Sequence, residues 1–405
     1  MTYQEILDYI YADFMEIKHK IKGKGDAEIR NPNLLVNLMN ELDIIPDKNK
    51  IIKITGSKGK GTTTRICENM IRAVNPKLNV AILTSPEEIE HNDRMRINNI
   101  PISISEFENT FNELKPRLEK LKQSFSGFDY LSPSGLFVLI AFYWWKDKGI
   151  DYFVLETGRG AEYDEVGIIP AKVSIVSSIL LEHPQYLGGS LESIAKHKLF
   201  VCNNSDYAVL DKTATPYFNG YTAELLNPAN EVKIDNFPDW YSNNVILALP
   251  AVAKLLNQDE EKIKQAFVDF KDKTSASFGF KNKDGVNYYY EPAISLQSLD
   301  MEFIKSIANE KTMFLVSFPD DKDIHPMVNE LKSYGDLKHI VLTGTRGYLD
   351  YNITQKDYKD DIIWTGKYND TNSFNKMVKE LDYKNIYTIG TQTYIRLVKC
   401  SLFDY

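Results

Sequence analysis

Residues 51 to 64 read Ile-Ile-Lys-Ile-Thr-Gly-Ser-Lys-Gly-Lys-Gly-Thr-Thr-Thr, a β-type run that turns through glycines into a lysine and three hydroxyls. No other stretch constrains the fold so far. Gly56, Gly59 and Gly61 can take backbone angles that side chains forbid, so successive N–H groups can point at one anion. Thr62 to Val74 has helical spacing, which brings the positive end of a helix to the same place. Lys60 offers a mobile charge for the β- and γ-phosphates of a nucleotide, and Thr62 or Thr63 a hydroxyl for Mg²⁺. The strict P-loop carries four residues between its first glycine and Gly-Lys, whereas only Ser57 and Lys58 intervene here. The loop is thus a shortened form, Gly-x-x-Gly-Lys-Gly-Thr. The residues alone also admit a glycine-rich strand-to-helix turn with a surface lysine.

The rest of the chain places that loop in an α/β protein. Residues 3–20 and 32–43 have apolar positions at helical spacing, and Asn79–Leu83 reads as the strand after the loop helix. Ile104–Lys122 and 135–148 read as helices, while 151–156 and 173–178 are continuous apolar β-rich runs suited to strands covered on both faces. Strands alternating with helices imply a doubly wound, mostly parallel sheet with ligands at the carboxyl ends of its strands. Glu156 and His183 fall at or just beyond two such ends. A polar stretch, 271–277, and the turn-like Lys281–Gly285 mark a boundary. A P-loop domain with N-terminal helices is expected over 1–275. A smaller Rossmann-like α/β domain follows over 285–405, with strands near 286–290, 312–318, 340–343 and 386–389.

Composition excludes several classes. A chain of 405 residues, 43% hydrophobic and 26% charged, has length for two or three cores. Its net charge of −8 argues against a nucleic-acid surface. Cys67, Cys202 and Cys400 are too scattered for a disulfide framework or zinc cluster and fit a reducing, cytoplasmic setting. The opening residues lack the basic and apolar stretches of a signal peptide. The longest apolar run, Gly135–Trp145, is too short to span a bilayer.

The shortened loop resembles the Gly-Thr-Asn-Gly-Lys-Gly-Ser of folylpolyglutamate synthases, within the wider Mur ligase family of ATP-dependent amide ligases. Further stretches are similar in order: Thr84-Ser85-Pro86, Asn92–Asn98, Leu155-Glu156-Thr157-Gly158-Arg159-Gly160 with Asp164, then Ser178-Ile179, His183, Tyr186–Gly188 and Lys198. The resemblance implies ATP and Mg²⁺ as cofactors and small-molecule carboxylate and amino-acid substrates. It implies nucleotide contacts from Gly56, Ser57, Lys58, Gly59, Lys60, Gly61, Thr62 and Thr63, with Glu291 and Asp321 in the second domain. Metal contacts fall on Thr62, Ser85, Glu156, His183 and Lys198, the last through carbamylation in the family. Catalytic roles fall on Lys60, Glu156, His183 and Lys198. Read by residue type alone, Glu156 is equally a solvent-exposed strand-end acid, His183 a structural loop histidine, and Lys198 a solvated lysine near a helix end.

Departures from the family pattern shape the expected activity. Its Thr-x-Phe-Glu-like segment is replaced by Tyr130-Leu131-Ser132-Pro133-Ser134, and the linker arginine has no counterpart in Ser275–Phe280. Its Asp-x-Ala-His-Asn-Pro motif appears as Glu291-Pro292-Ala293-Ile294-Ser295-Leu296. The expected function is ATP-dependent amide ligation with an acceptor other than folate. The alternative is a nucleotide-binding regulatory or scaffold subunit that has lost ligation. The sequence leaves the oligomeric state open.

Overall fold

The computed structural model describes residues 1–403 apart from 182, 183, 272, 276, 277, 294, 297, 298, 309, 310, 320–323 and 344–350. His183 and Asp321 therefore lie outside the described residues. The chain divides into two compact units, 1–232 with 243–273, and 233–242 with 274–405. The stretch 233–242, which sequence reading places in the first domain, packs with the second.

The first unit is built on eight strands: β1 (Ile51–Thr55), β2 (Val80–Leu83), β3 (Met95–Ile97), β4 (Ile100–Pro101), β5 (Tyr152–Glu156), β6 (Ala171–Val176), β7 (Ser205–Leu210) and β8 (Glu224–Leu226). Their spatial order is β4-β3-β2-β5-β1-β6-β7-β8. Pairing is parallel from β2 through β8, and only the β2–β3 and β3–β4 pairs are antiparallel. β1 is central, and every one of its residues is buried. That burial includes Lys53, whose ammonium donates to the carbonyls of Gly167 (3.0 Å) and Ile169 (2.7 Å) and to Asn204 Oδ1 (2.5 Å). A cation in a central strand is tolerable only when acceptors replace its water, as they do here.

One face of this sheet is covered by a helix apolar on all sides, Pro133–Trp145, started by Ser132, whose hydroxyl accepts the Gly135 N–H. A helix of that kind must be enclosed. Ile6, Leu7 and Ile10 of the N-terminal helix and Phe107, Phe111, Leu114 and Leu118 of Ile104–Lys122 enclose it. Each fully buried side chain of this size contributes about 1.5–3 kcal/mol. Among the described residues, no helix is long and apolar enough to cross a membrane.

The second unit carries β9 (Gly279–Lys283), β10 (Val286–Glu291), β11 (Thr312–Ser317), β12 (Asp336–Thr343), β13 (Ile362–Lys367) and β14 (Asn385–Gly390) in the order β13-β12-β11-β14-β10-β9. Only the β9–β10 pair is antiparallel. Its hairpin closes through Asp284 (φ 54°) and Gly285 (φ 81°), the left-handed pair that a two-residue hairpin turn requires.

His339, wholly buried in β12, stacks on Tyr358 at 4.5 Å, and neither ring nitrogen has a hydrogen-bond partner among the described residues. Burial lowers its pKa from 6.5 to about 4; Lys332 and Lys338 push the same way and Asp361 opposes them. Between those values the unfolded chain binds the proton and the folded chain does not. Stability therefore falls as pH drops from 6.5 to about 4, by as much as about 3 kcal/mol. His339→Phe should flatten this acid limb in urea titrations while changing stability little at neutral pH. An acid limb of unaltered depth in the variant would assign the titration to another group.

Candidate functional site

β1 leaves the sheet between β5 and β6, so the loop after Thr55 opens where neighbouring strands also end. Gly56 has φ +142°, and a Cβ there would fall 2.2 Å from Ser177 Oγ and 2.9 Å from the Ser178 nitrogen. Only glycine fits that approach. The loop is stitched to the β6 exit. The N–H groups of Ser57 and Lys58 donate to Ser178 O (2.9 Å) and Ser178 Oγ (2.8 Å), and the Ser177 hydroxyl donates to Lys58 O (2.5 Å).

Gly59 (φ +85°) is the left-handed residue that starts the helix Lys60–Val74. Its missing side chain admits Asn244, whose Oδ1 would lie 2.5 Å from a Cβ. The Thr63 hydroxyl stands 2.9 Å from both Gly59 O and Asn244 Oδ1. The helix's first turn, from Lys60 to Thr62, thus presents its N–H groups and positive end to the loop. Thr62 is buried.

Two ammonium groups converge on one carbonyl. Lys60 Nζ donates to Gly56 O at 2.9 Å, and Lys198 Nζ donates to the same oxygen at 2.9 Å and to Arg159 O at 2.8 Å. Lys198 is 0% exposed, which overturns its reading as a solvated helix-end lysine. The cause is local. Ile194, Ala195 and Leu199 of the helix Leu191–Leu199 turn into an apolar cluster and carry Lys198 inward with them.

Glu156, the last residue of β5, is 4% exposed, so the solvent-exposed alternative fails as well. Its Oε2 accepts the Ser85 N–H at 3.0 Å. Burial pushes its carboxyl up to about 7, against the pull of Lys60, the Ser85 N–H and Arg65. A buried carboxylate raised toward neutrality fits a position awaiting a cation. No group of three or more His, Cys, Asp or Glu that could hold a metal occurs among the described residues. Mg²⁺ suits such a site, because it is commonly held by one or two carboxylates with hydroxyls, water and substrate phosphates. Thr62, Ser85 and Glu156 carry oxygen donors of the kind that Mg²⁺ takes.

The replaced segment near residue 132 has its own chemistry. Arg30 donates to Ser132 Oγ (3.3 Å), Ser134 Oγ (3.1 Å) and Glu165 Oε2 (2.7 Å), and the Ser132 hydroxyl donates to Glu165 Oε1 at 2.7 Å. A side chain at Gly135 would clash with Glu165 Oε1 at 2.2 Å. Nearby, Arg159 pairs with Asp26 (2.5 and 2.9 Å) and lies over the Tyr186 ring at 3.7 Å. In the second unit, Glu291 is buried at the end of β10 and accepts the Tyr387 hydroxyl at 2.7 Å, and burial raises its carboxyl to about 7.

Comparison with known proteins finds similarity over about half of the chain in sequence and over both units in fold. No protein-family model matches the chain. It is 29% identical over 194 residues to a dihydrofolate synthase/folylpolyglutamate synthase of Bacillus subtilis, covering 47% of this chain and 44% of the relative. The mitochondrial folylpolyglutamate synthase of Bos taurus is 35% identical over 188 residues, 46% of this chain and 32% of the relative. Over these stretches the chain is similar to folylpolyglutamate synthases. The aligned part spans less than half of those curated relatives.

Solved structures extend the likeness of fold over both units. The apo folylpolyglutamate synthase of L. casei superposes with a TM-score of 0.72 at 16% identity, covering 100% of each chain. A bifunctional folylpolyglutamate synthase/dihydrofolate synthase of Yersinia pestis, complexed with AMPPNP and a Mn ion, gives 0.67 at 19% identity over 93% of this chain and 94% of that one. The Mycobacterium tuberculosis folylpolyglutamate synthase complexed with ADP and AMPPCP gives 0.66 at 16% identity, covering 96% and 98%.

Sequence reading missed three groups: Asn244 and Ser177 beside the loop, and Arg65 on the helix that follows it. Asn244 is far away in sequence and lies on a helix that sequence reading did not anticipate. Ser177 ends an apolar strand and offers no motif. Arg65 is a basic residue on a helix that otherwise reads as amphipathic.

Proposed function

We propose that the chain is an ATP-dependent carbon–nitrogen ligase, which transfers the γ-phosphoryl group of ATP to a substrate carboxylate and lets an amino-acid amine displace phosphate. One observation carries this reading. The positive start of the helix at Lys60 and the buried Glu156 carboxylate stand at the ends of adjacent strands, the charge arrangement that a metal–phosphate group needs. The nucleotide complexes of the similar structures support it.

Catalysis in such a site is positioning and charge neutralisation. Lys60 leaves Gly56 O, which Lys198 continues to hold, and reaches the β- and γ-phosphates. Helix N–H groups at the loop bind the phosphate oxygens, and Asn244 steadies the loop through Thr63. Thr62, Ser85 and Glu156 would hold Mg²⁺, joined by His183; the resemblance would add a carbamylated Lys198. Bound there, the ion supplies the charge that offsets the phosphoryl group. Lys198 would have to give up its two carbonyl acceptors to serve as a ligand. Its observed bonds favour a clamp that holds the loop to the Arg159 carbonyl.

The acceptor is a carboxylate other than folate. Where the resemblance expects Thr-x-Phe-Glu, Ser132 and Ser134 are committed to an internal Arg30–Glu165 ion pair, and Gly135 gives that pair its room. Glutamate is the amine that the relatives' names suggest. Phosphate release should require a carboxylate and an amino acid together, and reduced folates should release it at under about a tenth of the best acceptor's rate, a discrimination of about 1.4 kcal/mol, within the cost of leaving one buried polar group unpaired. Efficient glutamate addition to a reduced folate, read from product mass, would overturn the acceptor assignment. Nucleotide binding without turnover on any pair would favour the regulatory reading.

A further inference from the structure

The helix Lys60–Val74 buries an arginine one turn beyond Thr62. Arg65 is 0% exposed, and its guanidinium is bonded to the Glu88 carboxylate and to Asn99 Oδ1. Glu88 lies in the segment that leaves the carboxyl end of β2, and Asn99 in the turn that follows its return through β3. That segment also carries Ser85, whose N–H fixes Glu156 at 3.0 Å.

The segment is internally stiff. The Asp93 carboxylate accepts the N–H groups of Glu88 (2.9 Å), Ile89 (2.5 Å) and Glu90 (3.1 Å). The Thr84 N–H donates to Arg94 O at 2.8 Å. Arg96, also buried, lies 3.6 Å from Asp93 Oδ1 and 3.9 Å from Glu88 Oε2. A stiff segment moves as one body, so the place where it is fastened sets the position of Ser85.

We propose that Arg65 is a positioning residue: its fork to Glu88 and Asn99 fastens the Ser85–Asn99 segment to the helix Lys60–Val74, and so sets the spacing of Ser85 and Glu156 from Thr62. This rests on the metal–phosphate reading above. Buried ion pairs add little net stability against apolar replacements of similar volume, because desolvation offsets their attraction. A planar two-pronged contact fixes direction, which a single ammonium does not. The pair is thus placed to supply geometry.

Calorimetric titration of the full chain with AMPPNP, in EDTA and then in excess Mg²⁺, tests this with two variants. Arg65→Lys keeps the charge and loses the fork. The double variant Arg65→Met/Glu88→Leu removes the pair and leaves neither charge of it behind, so it folds even where a single truncation would not. In both, metal-free affinity for AMPPNP should stay within about threefold of the unmodified chain, while the gain in affinity that Mg²⁺ brings should shrink at least about tenfold. A gain of undiminished size in a folded variant overturns the positioning role, whatever its melting temperature. Absence of Mg²⁺-dependent AMPPNP binding in the unmodified chain overturns the metal–phosphate reading itself, and this inference with it.

Discussion

Lys60→Ala should abolish the rise in melting temperature that Mg-ATP produces, and should leave the apo melting curve nearly unchanged. At a ligand concentration of about 100 Kd, binding stabilises the native state by about 2.7 kcal/mol, a shift of several degrees for a domain of this size. The ammonium of Lys60 is half-buried, and its one described bond is to Gly56 O, which Lys198 also serves. Its loss therefore leaves no buried acceptor without a donor and opens no core cavity, so the apo fold is spared. The nucleotide, by contrast, loses the mobile charge at its β- and γ-phosphates. A variant that keeps the full shift would show that phosphate is bound elsewhere. One that melts early without ligand would make Lys60 a structural residue.

Legibility in the sequence followed the strength of local periodicity. β1, the loop and its helix could be read to within about two residues, because glycines, lysine and apolar spacing agree there. Helices with internal prolines differ in outcome: Ile104–Lys122 is readable despite Pro116, while Asp239–Leu256, with Pro250 inside, was not anticipated. β3, β4 and β8 are two or three residues long and are defined by pairing, so they leave little trace in the chain. Within the site, residue types were legible and environments were not. Glu156 and Lys198 could equally be solvated until the sheet and the cluster around Leu199 enclosed them. Asn244 meets Thr63 across 181 positions of chain, a contact that only the fold creates.

Glu156→Gln should lower product formation by roughly two orders of magnitude or more, the cost of removing one preorganised charge-stabilising group. The amide keeps the volume of the side chain, and its oxygen can still accept the Ser85 N–H. What disappears is a negative charge that burial makes expensive in the absence of a cation. The apo melting temperature should accordingly hold or rise, since the folded state no longer carries a poorly solvated carboxylate. The Mg²⁺-dependent part of nucleotide binding should fall, while the metal-free part persists through Lys60 and the helix N–H groups. These three readouts separate the possible roles. A purely structural acid predicts a lower melting temperature with metal dependence intact, and near-normal turnover in a folded variant removes Glu156 from the metal site altogether.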